Sequence, residues 1–291
     1  MNENKTNINW YPGHMAKTKR EITEKVKLVD VVLHVIDARI PKSSYIKDIN
    51  EFIHDKKQII IMTKYDLCDK AETAKWVEYY EKYGFRVLTA DLTNNNDYKN
   101  IVNAIESEME GINNKRKQKG LLPKKAKVMV VGVSNVGKST LINRLVNRKI
   151  AIVGNKPGVT KSLSVIKVND KVDLVDTPGV LWPKIDEYSV ALNLASMTII
   201  KEEVLPMDEV SVHIIDMLSK YYPYILKKEL GIDKFDIDAY EEYYLAISKF
   251  KNIPIKNGEA DYDRINSLIY NLIKNEKIKG ITFDRFGYER I

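Results

Sequence analysis

The sequence predicts an α/β fold with a mostly parallel, doubly wound sheet, followed by a small all-helical domain. A Gly-rich turn separates a short apolar run from a helical pattern at residues 128–146. Other apolar, β-branched runs alternate with helical spacing over residues 22–111. From about residue 205, helical spacing rich in Tyr, Ile and Leu continues without strand-like runs. We therefore expect two domains, residues 1–204 and 205–291.

The composition is typical of a globular chain. Its 291 residues, 44% hydrophobic and 30% charged, suffice for one large domain or two ordinary ones. The polar start and the lack of a long apolar run predict neither a signal peptide nor a membrane span. Cys68 is the single cysteine, which excludes an internal disulfide, and no Cys/His cluster suggests zinc. We expect a cytoplasmic protein.

The net charge of +7 is unevenly distributed. Residues 113–127, predicted to be a linker, carry seven Lys/Arg and no acidic residue. Residues 1–28 and 264–291 each carry six basic against three acidic residues. A polyanionic partner would explain this pattern, and so would solvated faces beside a flexible linker.

The helices and strands are expected in an alternating order that changes to helices alone. A first helix has Ile22, Val26 and Val29 on one face. The predicted positions that follow are strand 31–36, strand 58–62, helix 70–82, strand 85–88, helix 97–111, strand 128–131, helix 140–146, strands 162–168 and 172–175, and helices 208–222, 236–250 and 261–276.

The Gly-rich turn reads G-x-x-x-x-G-K-S from Gly132 to Ser139, which is the P-loop pattern. Gly132 and Gly137 allow the backbone to turn tightly and bring its N–H groups to phosphate, beside a helix N-terminus. We expect Lys138 to reach the β- and γ-phosphates and the Ser139 hydroxyl to bind Mg²⁺. The alternative, a chance Gly-rich turn, is disfavoured by the strand before it and the helix after it.

A D-x-x-G motif, Asp176-Thr-Pro-Gly179, follows the strand at 172–175. The motif is weak alone but strong at a strand end downstream of a P-loop. The Asp176 carboxylate is expected to hold Mg²⁺ through water, and the Gly179 N–H to meet the γ-phosphate. Thr160, in the loop between the motifs, can complete the Mg²⁺ shell when γ-phosphate is present. An ordinary ST-turn is the alternative for Thr160.

A guanine-reading motif lies upstream of the P-loop rather than after it. No N-K-x-D pattern follows Gly179, whereas Thr63-Lys-Tyr-Asp66 ends a predicted strand. The Asp66 carboxylate can accept hydrogen bonds from guanine N1–H and the 2-amino group. Adenine lacks both donors, so rejection by roughly 10⁴-fold or more is expected. Main-chain N–H groups of Thr89-Ala90 can support the base. Thr63 replaces the usual Asn, and because a hydroxyl makes fewer hydrogen bonds, a lower affinity is expected.

This order of motifs resembles a circularly permuted P-loop GTPase. Trp10-Tyr-Pro-Gly-His-Met-Ala-Lys17, Asp37-Ala-Arg-Ile-Pro41 and the helical tail resemble the bacterial ribosome biogenesis GTPase A family of YlqF-type proteins, over essentially the whole chain. The resemblance implies GTP hydrolysis, Mg²⁺, stimulation by K⁺, and binding to the maturing large ribosomal subunit. The residues expected at the nucleotide are Thr63, Lys64, Asp66, Thr89, Ala90, Gly132, Ser134, Asn135, Val136, Gly137, Lys138, Ser139, Thr140, Thr160, Asp176 and Gly179.

The catalytic group is expected outside the usual position. Val180 follows the D-x-x-G motif, where other GTPases place a water-orienting glutamine. His14 is the candidate, because the N-terminal arm leads into the strand that follows the D-x-x-G helix in an unpermuted GTPase, and the resemblance implies the same role. A structural histidine in a Pro-Gly turn is the alternative. Asn135 matches the P-loop position whose amide binds K⁺ in related proteins.

The expected function is a slow GTPase that docks on a large-subunit precursor through rRNA and ribosomal proteins and leaves after hydrolysis. No membrane or DNA partner is expected. Two alternatives are a P-loop metabolic phosphotransferase and a nucleotide-stabilised RNA-binding protein without meaningful turnover. His34, His54 and His213 are expected to be structural.

Overall fold

The computed structural model describes residues 14–53, 56–146, 165–175, 185, 187–200 and 205–287, and of residues 14–19 and 52 it describes the backbone only. The strands are β1 (Val31–Asp37), β2 (Lys57–Thr63), β3 (Arg86–Ala90), β4 (Ala126–Val131), β5 (Val165–Lys167) and β6 (Val172–Val175). The helices are α1 (His14–Val26), α2 (Ile49–Ile53), α3 (Lys70–Lys82), α4 (Asn95–Glu108), α5 (Glu110–Gln118), α6 (Lys138–Leu145), α7 (Tyr188–Ser196), α8 (Met207–Tyr221), α9 (Pro223–Leu230), α10 (Tyr240–Phe250, after a 3₁₀ turn at Ile237–Ala239) and α11 (Tyr262–Lys274).

The six strands form one sheet in the order β3-β2-β1-β4-β6-β5. All neighbours are parallel except β5 and β6, which pair antiparallel. Strand β1 is buried along its whole length because its apolar residues are covered on both faces. It lies between β2, which precedes the guanine motif, and β4, which precedes the P-loop. The α/β fold with a mostly parallel sheet is therefore confirmed.

The helices after residue 205 share a buried core with the sheet. Helix α7 already precedes residue 205, and α9 follows α8 within a segment for which no second helix was predicted. One cluster of buried side chains runs from Ile22 and Val26 on α1, and Val29 just after it, through the sheet to α11. In the described part of the chain, no helix is long and apolar enough to cross a membrane.

The first part of the basic linker is a helix. Helix α4 ends at Glu108, and α5 covers residues 113–118 of the predicted linker 113–127. Helix α5 buries none of its residues, so it carries no apolar periodicity that the sequence could reveal. The chain after it is held by Asn113, whose Oδ1 accepts from the Lys124 N–H at 2.7 Å and whose Nδ2 donates to the Lys124 carbonyl at 3.2 Å.

Two of the histidines are packed into the core, as expected. The Nε2 of His34, on β1, accepts from the Ile46 N–H at 3.4 Å, and burial lowers the pKa of His34 to about 3. The Nε2 of His213, on α8, lies 2.8 Å from Oδ1 of Asn193, and burial lowers the pKa of His213 to about 4. His54 lies outside the described residues.

Candidate nucleotide-binding site

Most of the predicted nucleotide contacts in the described residues lie at one edge of the sheet. Strands β1 to β4 are mutually parallel, so their carboxyl ends meet there. The P-loop follows β4, the guanine motif begins with the last residue of β2, and Thr89-Ala90 ends β3. Ligands of open α/β sheets bind at this edge.

The P-loop backbone has the conformation of an anion-binding turn. A Cβ at Gly132 would lie 2.3 Å from the carbonyl oxygen of Val35, so only glycine fits beside β1. Asn135 has φ 54° and Gly137 has φ 95°, both left-handed. Such turns present consecutive N–H groups to an anion, and α6 begins directly afterwards, at Lys138. This geometry fits a phosphate group.

Three polar side chains of the α6 N-terminus follow the turn. The Nζ of Lys138 donates to the carbonyl of Val133 within the loop. Burial lowers the pKa of Lys138 to about 7, and the charge of a nucleotide phosphate would favour its protonated form. Ser139 and Thr140 lie in the first turn of α6.

The segment after α7 contacts the P-loop directly. The Ser134 hydroxyl donates to the carbonyl of Ile199, and Nδ2 of Asn135 donates to the carbonyl of Thr198 at 2.6 Å. The amide N–H₂ of Asn135 thus has a protein partner, and its oxygen is the atom suited to a cation. The sequence did not predict this contact, which links the P-loop to the helical region.

The first residue of the guanine motif connects two parts of the site. Thr63 is fully buried, and its Oγ1 lies 3.0 Å from the carbonyl of Ile36 and 2.5 Å from the carbonyl of Val136. Val136 belongs to the P-loop, so the threonine hydroxyl joins the end of β2 to the phosphate-binding turn.

A buried ion network lies beside the guanine motif. The carboxylate of Asp37 accepts from Nε of Arg39 at 3.0 Å, from Nη2 of Arg39 at 2.8 Å and from Nζ of Lys64 at 2.9 Å. Burial alone would raise the pKa of Asp37, but the two cations outweigh it and hold that pKa far below its usual range. The network fixes Lys64, whose backbone is left-handed at φ 58°.

The sequence did not predict a role for Asp37, because the segment Asp37-Ala-Arg-Ile-Pro41 indicated only a family resemblance. The available signal was a carboxylate directly after an apolar strand, next to the strand that ends in the guanine motif. A buried charge at that place needs a partner, and the lysine of the motif directly follows the neighbouring strand β2.

The carboxylate of Asp66, which is predicted to read guanine, is exposed at the edge of the site. Partial burial raises the pKa of Asp66, and the neighbouring charges of Asp91 and Glu276 act in the same direction. The N–H of Tyr65 donates to the carbonyl of Ala90 at 3.4 Å, which holds the guanine motif against the end of β3. The guanine motif and the end of β3 are therefore adjacent, and the roles of Asp66, Thr89 and Ala90 at the base stay predictions.

Comparison with known proteins identifies the family. A family profile described as 50S ribosome-binding GTPase matches residues 127–249. A ribosome biogenesis GTPase A from Priestia megaterium is 38% identical over 95% of this chain and 96% of its own length. The chain belongs to the ribosome biogenesis GTPase A family. It is a GTPase. A second family member, from Bacillus cereus, is 36% identical over 95% of this chain and 93% of its own.

Solved structures of the family show the same fold. GDP-bound YlqF of Thermotoga maritima matches with a TM-score of 0.63 and 23% identity, over 92% of this chain and 99% of that one. GNP-bound YlqF from T. maritima matches with a TM-score of 0.62 and 24% identity, over 92% and 98%. As expected of a circularly permuted ribosome biogenesis GTPase A fold, the guanine-motif strand β2 precedes the P-loop strand β4 in the chain.

Mg²⁺ accompanies the nucleotide in GTPases. Ser139, in the first turn of α6 directly after the phosphate-binding turn, supplies a hydroxyl that fits this ion. The other expected Mg²⁺ residues, Thr160 and Asp176, lie outside the described residues, as does Gly179. Helix α1 begins at His14, whose side chain also lies outside them. The roles of these four residues stay predictions.

Proposed function

We propose that this GTPase is an assembly factor that binds the maturing large (50S) ribosomal subunit in its GTP form and leaves after hydrolysis. The names of the relatives and the description of the family profile support a role in ribosome assembly. The observation that carries the proposal is the contact of Ser134 and Asn135 with the segment after α7. Through it, the state of the P-loop acts on the helical region that would hold the subunit.

The nucleotide is bound by residues from three strand ends. Asp66 reads guanine, Lys138 and the P-loop N–H groups hold the phosphates, and Ser139 binds Mg²⁺. Thr160 and Asp176 would complete the Mg²⁺ site, the latter through water. The amide oxygen of Asn135 would hold K⁺, whose positive charge would favour the transition state and so stimulate hydrolysis.

His14 is the proposed catalytic residue. Its imidazole orients the attacking water in place of the glutamine found in other GTPases. Helix α1 leads into β1. Strand β1 is parallel to the P-loop strand β4, so it begins at the sheet edge opposite the P-loop. His14 would therefore reach the nucleotide if α1, 13 residues long with His14 at its start, runs back along the sheet.

Basic side chains of α5 and its continuation would meet rRNA phosphates. Lys115, Lys117 and Lys119 are exposed, and within the described part of the chain none of them has an acidic partner. Lys124, in contrast, pairs with Asp30. Phosphate contacts of this kind give salt-dependent binding. Ribosomal proteins of the same precursor would form the remaining contacts, in the cytoplasm.

Co-sedimentation with large-subunit precursors tests the proposal. Binding should be stronger with a non-hydrolysable GTP analogue than with GDP, and should weaken as salt rises. Changing Lys115, Lys117 and Lys119 together to Glu should weaken binding and reduce the salt slope by about one per lysine. The same change at the exposed Lys47, Lys57 and Lys82 is the control. Binding that is insensitive to both salt and nucleotide would contradict the proposal.

Single-turnover hydrolysis separates the alternatives. The proposed function predicts that subunit precursors accelerate hydrolysis. A metabolic phosphotransferase would not respond to them, and a nucleotide-stabilised RNA-binding protein would bind them without turnover.

A further inference from the structure

The turn that carries Asp66 is held by the chain segment after α11, residues 276–286, which we call the C-terminal strap. The N–H groups of Gly280 and Ile281 donate to the carbonyl of Leu67, at 2.8 and 3.3 Å. Leu67 directly follows Asp66 and is buried. The strap therefore fixes the peptide next to the base-reading residue.

A second set of contacts holds the far side of the same turn. The N–H of Asp69 donates to Oγ1 of Thr282 at 3.1 Å. The hydroxyl of Tyr222, from the α8–α9 junction, lies 3.1 Å from the Asp69 carboxylate and accepts from the Thr282 N–H at 2.8 Å. Asp69 in turn caps α3 by accepting from the N–H groups at positions 71 and 72. Both ends of the 67–69 segment are thus bonded to the helical region.

The strap itself is firmly anchored. The buried carboxylate of Asp284 accepts from the Ser43 N–H at 2.7 Å, from the Ser43 hydroxyl at 2.6 Å and from Nδ2 of Asn193 at 2.9 Å. The indole N–H of Trp76, on α3, donates to the Asp284 carbonyl at 2.9 Å. These bonds join the strap to the loop after β1, to α7 and to α3, so it is a fixed support for the guanine motif.

Two charged side chains of the strap lie near the Asp66 carboxylate. Glu276 raises the pKa of Asp66, and Lys279 opposes it. The negative charge of Glu276 also acts to raise the pKa of Lys64 and of Arg39. The strap is therefore part of the immediate surroundings of the guanine motif, although it lies more than 200 residues away in the chain.

We propose that the C-terminal strap is a positioning element that sets guanine specificity by holding Asp66 in place. The inference rests on the proposed role of Asp66 in reading the base. Asp66 is exposed on a turn, and a carboxylate that accepts two hydrogen bonds from one base needs both oxygens at bonding distance. If the turn is displaced, the hydrogen bond from the guanine 2-amino group is weakened. Specificity against hypoxanthine then falls, because that group alone distinguishes guanine from hypoxanthine.

A pair of glycines provides matched variants. Gly280 and Gly258 both have left-handed backbones, at φ 75° and 85°, and an added Cβ would meet no atom within 4 Å at either. Alanine therefore introduces similar backbone strain at both positions. Gly280 bonds to Leu67, whereas Gly258 lies in the α10–α11 connection. Thr282→Val is a second variant, which removes the acceptor of the Asp69 N–H while keeping the side-chain volume.

The readout is the ratio of affinities for GDP and IDP, measured by displacement of a fluorescent nucleotide from the full chain, with ADP as a third competitor. Gly280→Ala and Thr282→Val should lower the GDP-to-IDP ratio by about tenfold, the value of one hydrogen bond to a charged group. Gly258→Ala should leave the ratio unchanged. General destabilisation would lower both affinities equally and keep the ratio.

Two outcomes would overturn the inference, and they are distinguishable. If the unchanged protein prefers GDP over IDP and ADP but both strap variants keep its ratio, the strap has no part in specificity. If the unchanged protein does not discriminate among the three nucleotides, the role of Asp66 fails as well.

Discussion

The hydroxyl of Thr63 lies 2.5 Å from the carbonyl oxygen of Val136, across the gap between the guanine motif and the P-loop. It also lies 3.0 Å from the carbonyl of Ile36, at the end of β1. A single hydroxyl hydrogen thus lies between two acceptors, one in β1 and one in the P-loop. The residue that departs from the usual Asn still connects the base site to the phosphate site, and it does so with a shorter side chain.

Loss of that hydroxyl should weaken nucleotide binding. Thr63→Val keeps the volume but leaves the carbonyl of Val136 without its donor, so GDP affinity should fall about fivefold to tenfold, the usual value of a buried hydrogen bond. Thr63→Ser keeps the donor and should bind GDP nearly as well as the unchanged protein. Equilibrium titration with fluorescent GDP measures both. An equal loss in the serine variant would instead assign the effect to the threonine methyl group.

Base preference should follow Asp66. GTP and GDP should outcompete ATP by roughly 10⁴-fold, because adenine lacks both donors that the carboxylate needs. Asp66→Asn should shift the preference toward xanthine nucleotides, whose 2-oxo group accepts from the new amide. Competition against labelled GDP measures the order, and equal competition by ATP would refute the assignment.

The cation effect should depend on Asn135. Hydrolysis should run faster in K⁺ than in Na⁺ at equal ionic strength, and Asn135→Ala should abolish the difference. Ser134→Ala is the matched control, because Ser134 also contacts the segment after α7 but carries no amide oxygen. A potassium-to-sodium rate ratio that survives in Asn135→Ala would exclude the role.

His14→Ala should separate catalysis from binding. We expect kcat to fall by roughly 10²-fold or more, as for loss of a positioned acid–base group, with GDP and GTP affinities nearly unchanged. Subunit binding with GTP should persist while release stalls. A structural histidine would give the reverse, with weaker subunit binding and near-normal hydrolysis. Stopped-flow binding and single-turnover rates on this variant decide between the two.

Stability should fall in mild acid, in part because of His213. Its pKa is lowered to about 4 by burial, whereas an unfolded histidine titrates near 6.5. As pH falls, His213 therefore takes up a proton in the unfolded state before it does so in the folded state. Stability is lost between about pH 6.5 and pH 4. Between pH 7.5 and 5.5, the titration of His213 should lower the free energy of unfolding by about 1.3 kcal/mol. His213→Gln, whose amide can still donate to Asn193, should reduce the pH dependence of urea unfolding by that amount. An unchanged pH dependence would contradict the assignment.

The sequence predicted the parts of the fold that depend on local patterns. Strands β1 and β2 were located to within one residue at each end, because buried parallel strands are continuous apolar runs. Helix α3 matched its predicted range of 70–82, and the P-loop was identified from its glycines together with the flanking strand and helix.

The interactions that were missed depend on pairs of residues far apart in the chain. Asp37 and Lys64 are 27 residues apart, and Asp69 and Thr282 are 213 apart. Neither pair leaves a periodic signal in one sequence. Helix α5 escaped prediction for a different reason, since a helix without a buried face has no apolar spacing. The proposed role of the C-terminal strap could not be predicted from the sequence, because its bonds to residues 67–69 use mostly backbone groups.

Asp69, in the turn that carries Asp66, and Thr282, in the C-terminal strap, are separated by 213 residues, which has a consequence for biosynthesis. At 5–20 residues per second, the ribosome needs about 10 to 40 s to add that length of chain. Strands β1, β2 and β3 can pair early in that interval, since their partners are close in sequence. The carbonyl of Leu67 and the N–H of Asp69 meanwhile have only water as a partner. A nascent chain therefore completes its phosphate-binding turn well before its guanine turn, and selectivity for its own nucleotide is among the last properties that it acquires.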